Sequence, residues 1–267
     1  MIKYIFTFIS RECNLLFTHP YMFYLRRFWC FFLNSILWIK KDLLYRYKDI
    51  NIKFPNKIGV SYVLMETFVY KIFSEMKWLD KVLDIWWFIW ESALYLACYN
   101  KEVYCYELSK TNFEYLQKNC KNLKNIHYYN AWISVSDVKY MQYNESLGVD
   151  STIKVRSNAS KNIVYVKNLN ILTLLKKHKF DGIKLDIEGG EYNIVDSLIK
   201  NDKFNFKKWI IEFHFLNKNS NLRHLKQFIK FLLKKRYRYE IFTNEKKKIS
   251  LSKLYKYDFC NIYFELI

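Results

Sequence analysis

Titratable side chains cluster in two short stretches of the sequence, DGIKLDIEGGEYNIV (181–195) and WIIEFHF (209–215). The candidates for chemistry among them are Asp186, Glu188, Glu191, Glu212 and His214. Side chains two positions apart on a strand point to the same side of the chain, so each stretch directs a pair of them into one crevice. Paired carboxylates are costly unless they bind a ligand or share a proton, and a Glu/His pair beside them can supply a general base. For any one of these residues, a solvated or structurally paired charge is the competing interpretation.

Two further carboxylates lie at or near the ends of short apolar segments. Asp84 is part of KVLDI (81–85), and Glu107 ends EVYCYE (102–107), 23 residues after Asp84. A carboxylate that ends the second strand of a nucleotide-binding sheet is well placed to accept both hydroxyls of a ribose. The competing interpretation for Glu107 is a favourable charge near a helix N-terminus, because Ser109 is a predicted N-cap.

The elements that must position these residues alternate between strand and helix from residue 57 onward. This alternation indicates a doubly wound, mostly parallel α/β sheet, which binds ligands outside the carboxyl ends of its strands. The predicted strands are 81–85, 102–107, 125–131, 182–188 and 209–215, with a closing antiparallel pair at 237–243 and 261–267. The predicted helices are 91–99, 109–120, 171–178 and 191–199, with a long amphipathic helix around 222–232.

Residues 1–56 are predicted to form a helical N-terminal segment, and residues 57–267 the main domain. The segment is aromatic and basic, and its longest apolar stretch, Phe28–Ile39, is interrupted by Asn34 and Ser35. That stretch falls short of the roughly 20 residues that a spanning helix needs. Two interpretations stay open: a helical cap on the main domain, and a helix lying in a membrane interface with its basic residues outward.

Composition limits the class of protein and its partners. The 267 residues are 51% hydrophobic, which excludes a mainly disordered chain. The formal net charge of +19 favours anionic partners, although an A+T-rich genome produces the same lysine excess without selection for binding. The six cysteines form no CxxC motif, and free thiols in a reducing cytoplasm are expected.

These segments resemble the FkbM family of S-adenosyl-methionine-dependent methyltransferases in order and spacing. The resemblance covers about residues 57–215 and is carried by VLDI, ESALYLA, VYCYELSKTNFEYLQKN, NIHYYNAWIS, DGIKLDIEGGEYNIV and WIIEFHF. It implies a Rossmann-like fold of the class I methyltransferase type, to which a terminal antiparallel hairpin belongs. The implied activity is O-methylation, often of sugar hydroxyls.

The resemblance also implies roles for individual residues on the cofactor side. Asp84 and the turn after it would hold the methionine part of S-adenosyl-methionine. Glu107 would hold the ribose, and Asn130 and Ala131 would lie beside the adenine.

On the acceptor side, four residues are implied to face the transferred methyl group and the acceptor hydroxyl: Asp186, Glu188, Glu212 and His214. The identity of the base among Glu188, Glu212 and His214 stays open. A metal site built from Asp186, Glu188 and His214 is an alternative that nothing in the spacing requires, so no metal is predicted.

The turn after the first strand departs from the family pattern. The family has Gly-x-x-x-Gly after VLDI, whereas this chain has Trp86-Trp87-Phe88-Ile89-Trp90, with Trp86 and Trp90 at the glycine positions. The turn needs backbone without side chains because the cofactor packs directly on it, and each Trp brings roughly 200 Å² of surface. As written, Trp86 and Trp90 are expected to occupy the cofactor's space.

Two explanations for this replacement stay open. The chain has 8 Trp but only 5 Gly, whereas a usage of about 7% predicts roughly 19 Gly. Translating UGA codons as tryptophan, in a gene whose host reads them as glycine, produces both anomalies, and it would extend to Trp78 and Trp132. The other explanation is a degenerate homologue that binds no cofactor.

The expected function is S-adenosyl-methionine-dependent O-methylation of a glycan or small-molecule hydroxyl by a cytoplasmic enzyme. Peripheral membrane contact through residues 1–50 is a further option. An RNA methyltransferase is suggested by the charge of +19, but the sequence shows no RNA-binding module and no Asn-Pro-Pro-Tyr-type motif, so nucleic acid is not the expected partner. A non-catalytic protein with a methyltransferase fold is the third candidate.

Overall fold

The structure, a computed structural model, describes residues 43–47, 50–54, 63–86, 91–144 and 163–267. The chain divides into two units, one up to Lys71 and one from Ile72 onward. Residues 1–42 lie outside the described residues, so the predicted helix there and its membrane contact stay predictions. Within the described residues, no helix is both long and apolar enough to cross a membrane.

The described part of the first unit contains a hairpin in place of the predicted helix. Strand β1 (Leu43–Tyr47) pairs antiparallel with β2 (Ile50–Phe54). In β2 the apolar residues alternate with Asn51 and Lys53, and a period of two favours a strand with one buried face. The prediction of a helical segment is therefore wrong for these residues. A short helical turn at Met65–Val69 follows, and the ring of Phe68 lies 4.5 Å from that of Tyr47.

The second unit contains the predicted alternation of strands and helices. Its strands are β3 (Lys81–Trp86), β4 (Glu102–Glu107), β5 (Ile126–Asn130), β6 (Trp132–Ser134), β7 (Tyr140–Asn144), β8 (Ile163–Asn170), β9 (Gly182–Asp186), β10 (Lys208–His214), β11 (Tyr237–Phe242) and β12 (Phe259–Leu266). Its helices are α1 (Glu91–Ala97), α2 (Lys110–Cys120), α3 (Ile171–Lys177), α4 (Glu191–Lys200) and α5 (Lys218–Lys234).

The central sheet has seven strands in the order β11-β12-β10-β9-β3-β4-β5. Strands β3, β4, β5, β9 and β10 run parallel, and β12 is antiparallel to both β10 and β11. This is the strand order of class I methyltransferases with their terminal antiparallel hairpin, so the predicted fold class is confirmed. Strands β6, β8 and β7 form a separate small sheet.

The two faces of the central sheet bury different kinds of side chain. On one face Leu83, Ile85, Ile183 and Leu185 pack in a core with residues of α3, α4 and α5. Fully burying each of these side chains stabilises the fold by about 1.5–3 kcal/mol. The alternate residues of the same strands point to the opposite face, which α1 and α2 border. Asp84 of β3 and both Lys184 and Asp186 of β9 lie on this second face.

Helices α2, α3 and α5 each begin at a side chain that caps them. Ser109 accepts a hydrogen bond from the backbone N–H of Asn112 at 3.3 Å, which confirms the predicted N-cap of α2. Asn170 and Asn217 cap α3 and α5 in the same way. Such caps satisfy backbone amides that have no partner within the helix. They therefore fix the chain segment that leads into each of these three helices.

Trp78 has a backbone conformation that favours glycine. Its φ is +65° and it is 80% exposed, with its ring edge against Tyr99. A left-handed conformation is a genuine outlier for a bulky residue. By contrast, Trp132 is 6% exposed and packs with Leu108 and Val166, as a core tryptophan does.

We expect Trp78→Gly to be more stable than Trp78→Ala by about 1 kcal/mol, because a left-handed conformation costs roughly 1–2 kcal/mol for a residue with a Cβ. Both variants lose the contact with Tyr99, so that loss cancels. Urea denaturation monitored by circular dichroism measures the difference. The matched pair Trp132→Gly and Trp132→Ala should show the opposite order, because glycine weakens a strand. Equal stability of the two position-78 variants would contradict the assignment.

Candidate active site

The carboxyl ends of four neighbouring strands bring together most of the predicted site residues. In the strand register Asp84 lies beside Lys184, and Trp86 lies between Asp186 and Glu107. Residues two apart on a strand share a face. Across β4, β3, β9 and β10, that face therefore carries Glu107, Asp84, Lys184, Asp186, Glu212 and His214.

Asp84 is a fully buried carboxylate with one oxygen that the described residues leave without a partner. The Ser92 hydroxyl, in the first turn of α1, donates to Asp84 Oδ2 at 2.8 Å, whereas Oδ1 has no hydrogen-bond partner among the described residues. Burial raises the pKa of Asp84 to about 6, and the charge of Lys184 opposes that shift. An unsatisfied buried acceptor costs about 1–3 kcal/mol, so Oδ1 fits a ligand that donates a hydrogen bond or carries positive charge.

Glu107 ends β4 and is 1% exposed. The backbone N–H of Ser109 donates to Glu107 Oε1 at 2.6 Å, and Oε2 has no partner among the described residues. Burial raises the pKa of Glu107 well above its ordinary value, and the neighbouring charge of Asp84 adds to the shift. Glu107 therefore lies in the buried region that also contains Asp84 and does not point to bulk solvent.

Asn130 and Ala131 join the ends of β4 and β5. The Asn130 side-chain amide donates to the carbonyl oxygens of Glu107 and Leu108, both at 2.9 Å. The Ala131 N–H donates to the Glu107 carbonyl at 3.1 Å. These bonds hold the backbone on which Glu107 is mounted. The implied place of Asn130 and Ala131 beside the adenine stays a prediction.

Lys184 is a buried cation that the sequence analysis did not single out. Its Nζ lies 3.3 Å from Asp186 Oδ2, and the two side chains are 3% and 7% exposed. Asp84 is the register neighbour of Lys184 on β3, so one cation lies between two carboxylates. Lysine is rarely buried without a partner. A lysine within the apolar strand GIKLD therefore indicates a buried ion pair, and this was the signal that the sequence offered.

The turn between β9 and α4 brings Glu188 to His214. Glu188 has φ +53° and Gly189 has φ +103°, and a Cβ on Gly189 would lie 2.5 Å from Leu216 Cδ1. Glycine is required at position 189 because only glycine adopts this conformation freely. The turn places Glu188 Oε2 3.2 Å from His214 Nε2.

His214 ends β10 and lies among three carboxylates from three elements. Its Nδ1 is 3.1 Å from Glu191 Oε1, and its Nε2 is 3.2 Å from Glu188 Oε2 and 3.5 Å from Glu212 Oε1. Burial lowers the pKa of His214, but the hydrogen bond and charge of Glu191 and the charges of Asp186 and Glu212 outweigh burial and raise it to about 10. The imidazole is therefore protonated at neutral pH.

The same cluster has the dimensions of a cation site. Asp186, Glu191 and His214 each bring one oxygen or nitrogen within 4.8 Å of the others. Protein contacts already use these groups, because Lys184 pairs with Asp186 and Glu191 holds both His214 and two backbone amides. Each of the three candidate ligands thus already contacts a protein group of opposite charge.

Trp86 ends β3, two residues after Asp84 and directly beside Glu107 in the strand register. Asp84 and Glu107 each have one oxygen without a partner among the described residues. The side chain of Trp86 and the whole of residues 87–90, including Trp90, lie outside the described residues. Their predicted overlap with the cofactor therefore stays a prediction. The free oxygens of Asp84 and Glu107 fit a ligand with ammonium and hydroxyl donors, and S-adenosyl-methionine has both.

The chain is similar to known proteins in both sequence and structure. A family model described as the methyltransferase FkbM domain matches residues 69–240. No curated protein sequence matches the chain. Among solved structures, a methyltransferase FkbM from Methylobacillus flagellatus KT matches at 14% identity and a TM-score of 0.45, over 74% of this chain and 47% of that one.

Two other solved structures match at similar levels. Trm5b from Pyrococcus abyssi has 13% identity and a TM-score of 0.45, over 84% of this chain and 56% of that one. TYW2 from M. jannaschii, in complex with AdoMet, has 15% identity and a TM-score of 0.42, over 86% of this chain and 88% of that one. The chain spans about half the length of the FkbM and Trm5b structures.

We expect Asp84→Asn to stabilise the fold at pH 8, because the amide replaces a buried charge. Folding raises the pKa of Asp84 from its ordinary 3.8 to about 6. Stability is therefore lost as the pH rises from 3.8 through 6, by about 3 kcal/mol at most. The gain on substitution, measured by urea denaturation, should be largest above pH 6 and vanish near pH 4.

The matched control for this experiment is Asp80→Asn. Asp80 has a 62% exposed side chain and pairs with Lys101, whose hydrogen bond and charge lower its pKa. Its substitution should give no gain at any pH. A gain of equal size in both variants would contradict the burial argument for Asp84, and so would a pH-independent effect of Asp84→Asn.

Proposed function

This chain belongs to the FkbM family of methyltransferases, and from that premise we propose that it transfers the methyl group of S-adenosyl-methionine to a hydroxyl of a glycan or small molecule. The observation that carries the proposal is the cluster of Glu188, Glu212 and His214. Glu212 and His214 lie on the same face of the sheet as Asp84 and Glu107, each of which has one oxygen without a hydrogen-bond partner among the described residues. O-methylation needs a proton acceptor, which this cluster can supply, because the hydroxyl loses its proton as the oxygen is methylated.

S-adenosyl-methionine is the cofactor of this family, and it supplies an electrophilic methyl group on a cationic sulfur. In the proposal, Glu107 Oε2 accepts hydrogen bonds from ribose hydroxyls, as a carboxylate ending the second strand does in nucleotide-binding sheets. Asp84 Oδ1 accepts from the ammonium group. Each oxygen is a buried acceptor without a partner among the described residues, so binding removes a desolvation cost at both.

The proton of the acceptor hydroxyl goes to the carboxylates that face His214. His214 already holds a proton at neutral pH, because its pKa is raised to about 10. The Glu188 side chain is 27% exposed and that of Glu212 is 14% exposed. Glu188 is therefore the first acceptor in this proposal, and His214 links it to Glu212 within one proton network.

Local charge favours an uncharged acceptor over a nucleic acid. The net charge of +19 belongs to the whole chain, whereas carboxylates outnumber cations at the strand ends. Phosphate groups near such carboxylates would be repelled. The acidic members are Asp84, Glu107, Asp186, Glu188, Glu191 and Glu212, against Lys184 and His214.

We expect cofactor binding to distinguish the two explanations for the tryptophans. Titration calorimetry should detect no S-adenosyl-methionine binding to the chain as written. Micromolar binding, about −8 kcal/mol, is expected for Trp86→Gly/Trp87→Gly/Trp90→Gly, because the cofactor can then approach the backbone. Equal binding by both forms would contradict steric exclusion, and failure of both folded forms to bind favours the degenerate homologue.

Substitutions within β4 provide the matched control for the cofactor site. In the glycine background Glu107→Gln should weaken binding about tenfold or more, because one charge-assisted hydrogen bond contributes roughly 1.5–3 kcal/mol. Glu102→Gln lies at the other end of the same strand and pairs with Lys81, so it should bind normally. Equal effects of both substitutions would argue against a ribose role for Glu107.

The acceptor class is tested by transfer of a labelled methyl group to glycans, small hydroxyl compounds and RNA. We expect product with a hydroxyl acceptor, and a loss in kcat of about 100-fold or more for Glu188→Gln, with cofactor affinity unchanged. Methylation of RNA bases in place of hydroxyl acceptors would contradict the proposal.

A further inference from the structure

We propose that Glu191 is a positioning residue for His214: its carboxylate fixes the imidazole ring so that Nε2 faces Glu188 and Glu212. The effect of Glu191 on methyl transfer rests on the function proposed above. Its contact with His214 is a feature of the folded protein and does not depend on that function.

The Glu191 carboxylate is held rigidly by the turn that precedes it. Glu191 is the first residue of α4 and is 0% exposed. The backbone N–H groups of Ile187 and Gly189 both donate to Oε1 at 3.0 Å, and the Gly189 N–H also donates to Oε2 at 3.0 Å. Gly190, which precedes the helix, makes no side-chain hydrogen bond to it. Because Glu191 begins the helix, its carboxylate also lies at the positive end of the helix dipole.

This fixed carboxylate determines which nitrogen of His214 faces the other acids. Glu191 Oε1 contacts Nδ1 at 3.1 Å, which leaves Nε2 for Glu188 at 3.2 Å and Glu212 at 3.5 Å. A carboxylate on one ring nitrogen fixes the orientation in which the ring presents the other nitrogen. Rotation of the ring would break the contact with Glu191.

The groups that surround His214 come from every element packed against it. Glu212 shares its strand β10, Glu188 lies on the turn, and Glu191 lies on α4. Strand β9 contributes Asp186, which is paired with Lys184, and β12 contributes the ring of Phe259, 5.8 Å from the imidazole. Of these, Glu191 is the carboxylate that contacts Nδ1.

A purely structural role for Glu191, as a cap for the turn, makes a different prediction. A glutamine at this position keeps an oxygen that can accept from the amides of Ile187 and Gly189. It removes the negative charge that faces His214. Glu191→Gln therefore preserves the capping role and removes the electrostatic part of the positioning role.

The test is an NMR titration of the histidine ring signals in the full chain. In the wild-type chain His214 should titrate well above the ordinary range of histidine, with a protonated Nδ1. In Glu191→Gln its midpoint should fall by about 1–3 pH units, measured on protein that circular dichroism shows to be folded. An unchanged midpoint for His214 in folded Glu191→Gln would overturn the proposal.

The matched control is Asp196→Asn on the same helix. Asp196 Oδ1 lies 2.6 Å from His224 Nε2, so this substitution also removes one carboxylate from one histidine. It should leave the midpoint of His214 unchanged. A shift of His214 of the same size in Asp196→Asn would mean that the effect of Glu191 is unspecific, which contradicts the proposal.

Two further measurements cover the case in which Glu191→Gln does not fold. The wild-type spectrum alone should show a downfield, slowly exchanging Nδ1 proton on His214, and an ordinary midpoint without that signal would overturn the inference. With an active acceptor pair, Glu191→Gln should lower kcat and displace the pH profile with KM for the cofactor unchanged. Absence of methyl transfer in every form, with the NMR result as expected, would refute the proposed function and leave the positioning role intact.

Discussion

Charged side chains are buried on one face of the central sheet, and the contacts of the rest of the site depend on how these charges are compensated. Charges removed from water are costly unless they are paired and hydrogen-bonded. Lys184 and Asp186 compensate one another at 3.3 Å, and Ser92 supplies one donor to Asp84. Asp84 and Glu107 each keep one oxygen without a partner among the described residues. In the proposed function, these two oxygens accept hydrogen bonds from the cofactor.

The turn after β9 converts a strand end into a constrained acidic cluster. The left-handed conformations of Glu188 and Gly189 direct one carboxylate to His214, and the first residue of α4 directs another. Backbone amides hold Glu191, which is why its geometry does not depend on a flexible side-chain network. The left-handed conformation at Glu188 is costly for a residue with a Cβ, and such strain is typical of functional turns.

The tryptophans of the chain fall into different physical classes. Trp209 is fully buried and Trp132 nearly so, and both behave as core residues. Trp78 combines 80% exposure with φ +65°, which favours glycine at that position. The conformation at 78 therefore supports the recoded-codon explanation there, while the packing of Trp132 argues against it at 132. Position 86, at the end of β3, is where the same question bears on cofactor binding.

Sequence periodicity by itself determined the order of strands and helices in the second unit, because buried strands and amphipathic helices leave a direct pattern. It also located Asp84, Glu107, Asp186, Glu188, Glu212 and His214 near strand ends, because parallel strands share one carboxyl edge. It failed at Leu43–Phe54, where a short hairpin replaced the expected helix, since a five-residue alternation is easily masked by aromatic neighbours.

Only the tertiary structure decided which charges meet. The pairing of Lys184 with Asp186 and the contact of Glu191 with His214 depend on strand register and on one turn with positive φ. Neither register nor turn geometry can be read from residue types alone. The protonation of His214 follows from that assembly, because a pKa reflects every charge and desolvated surface around the group, and these come from parts of the chain far apart in sequence.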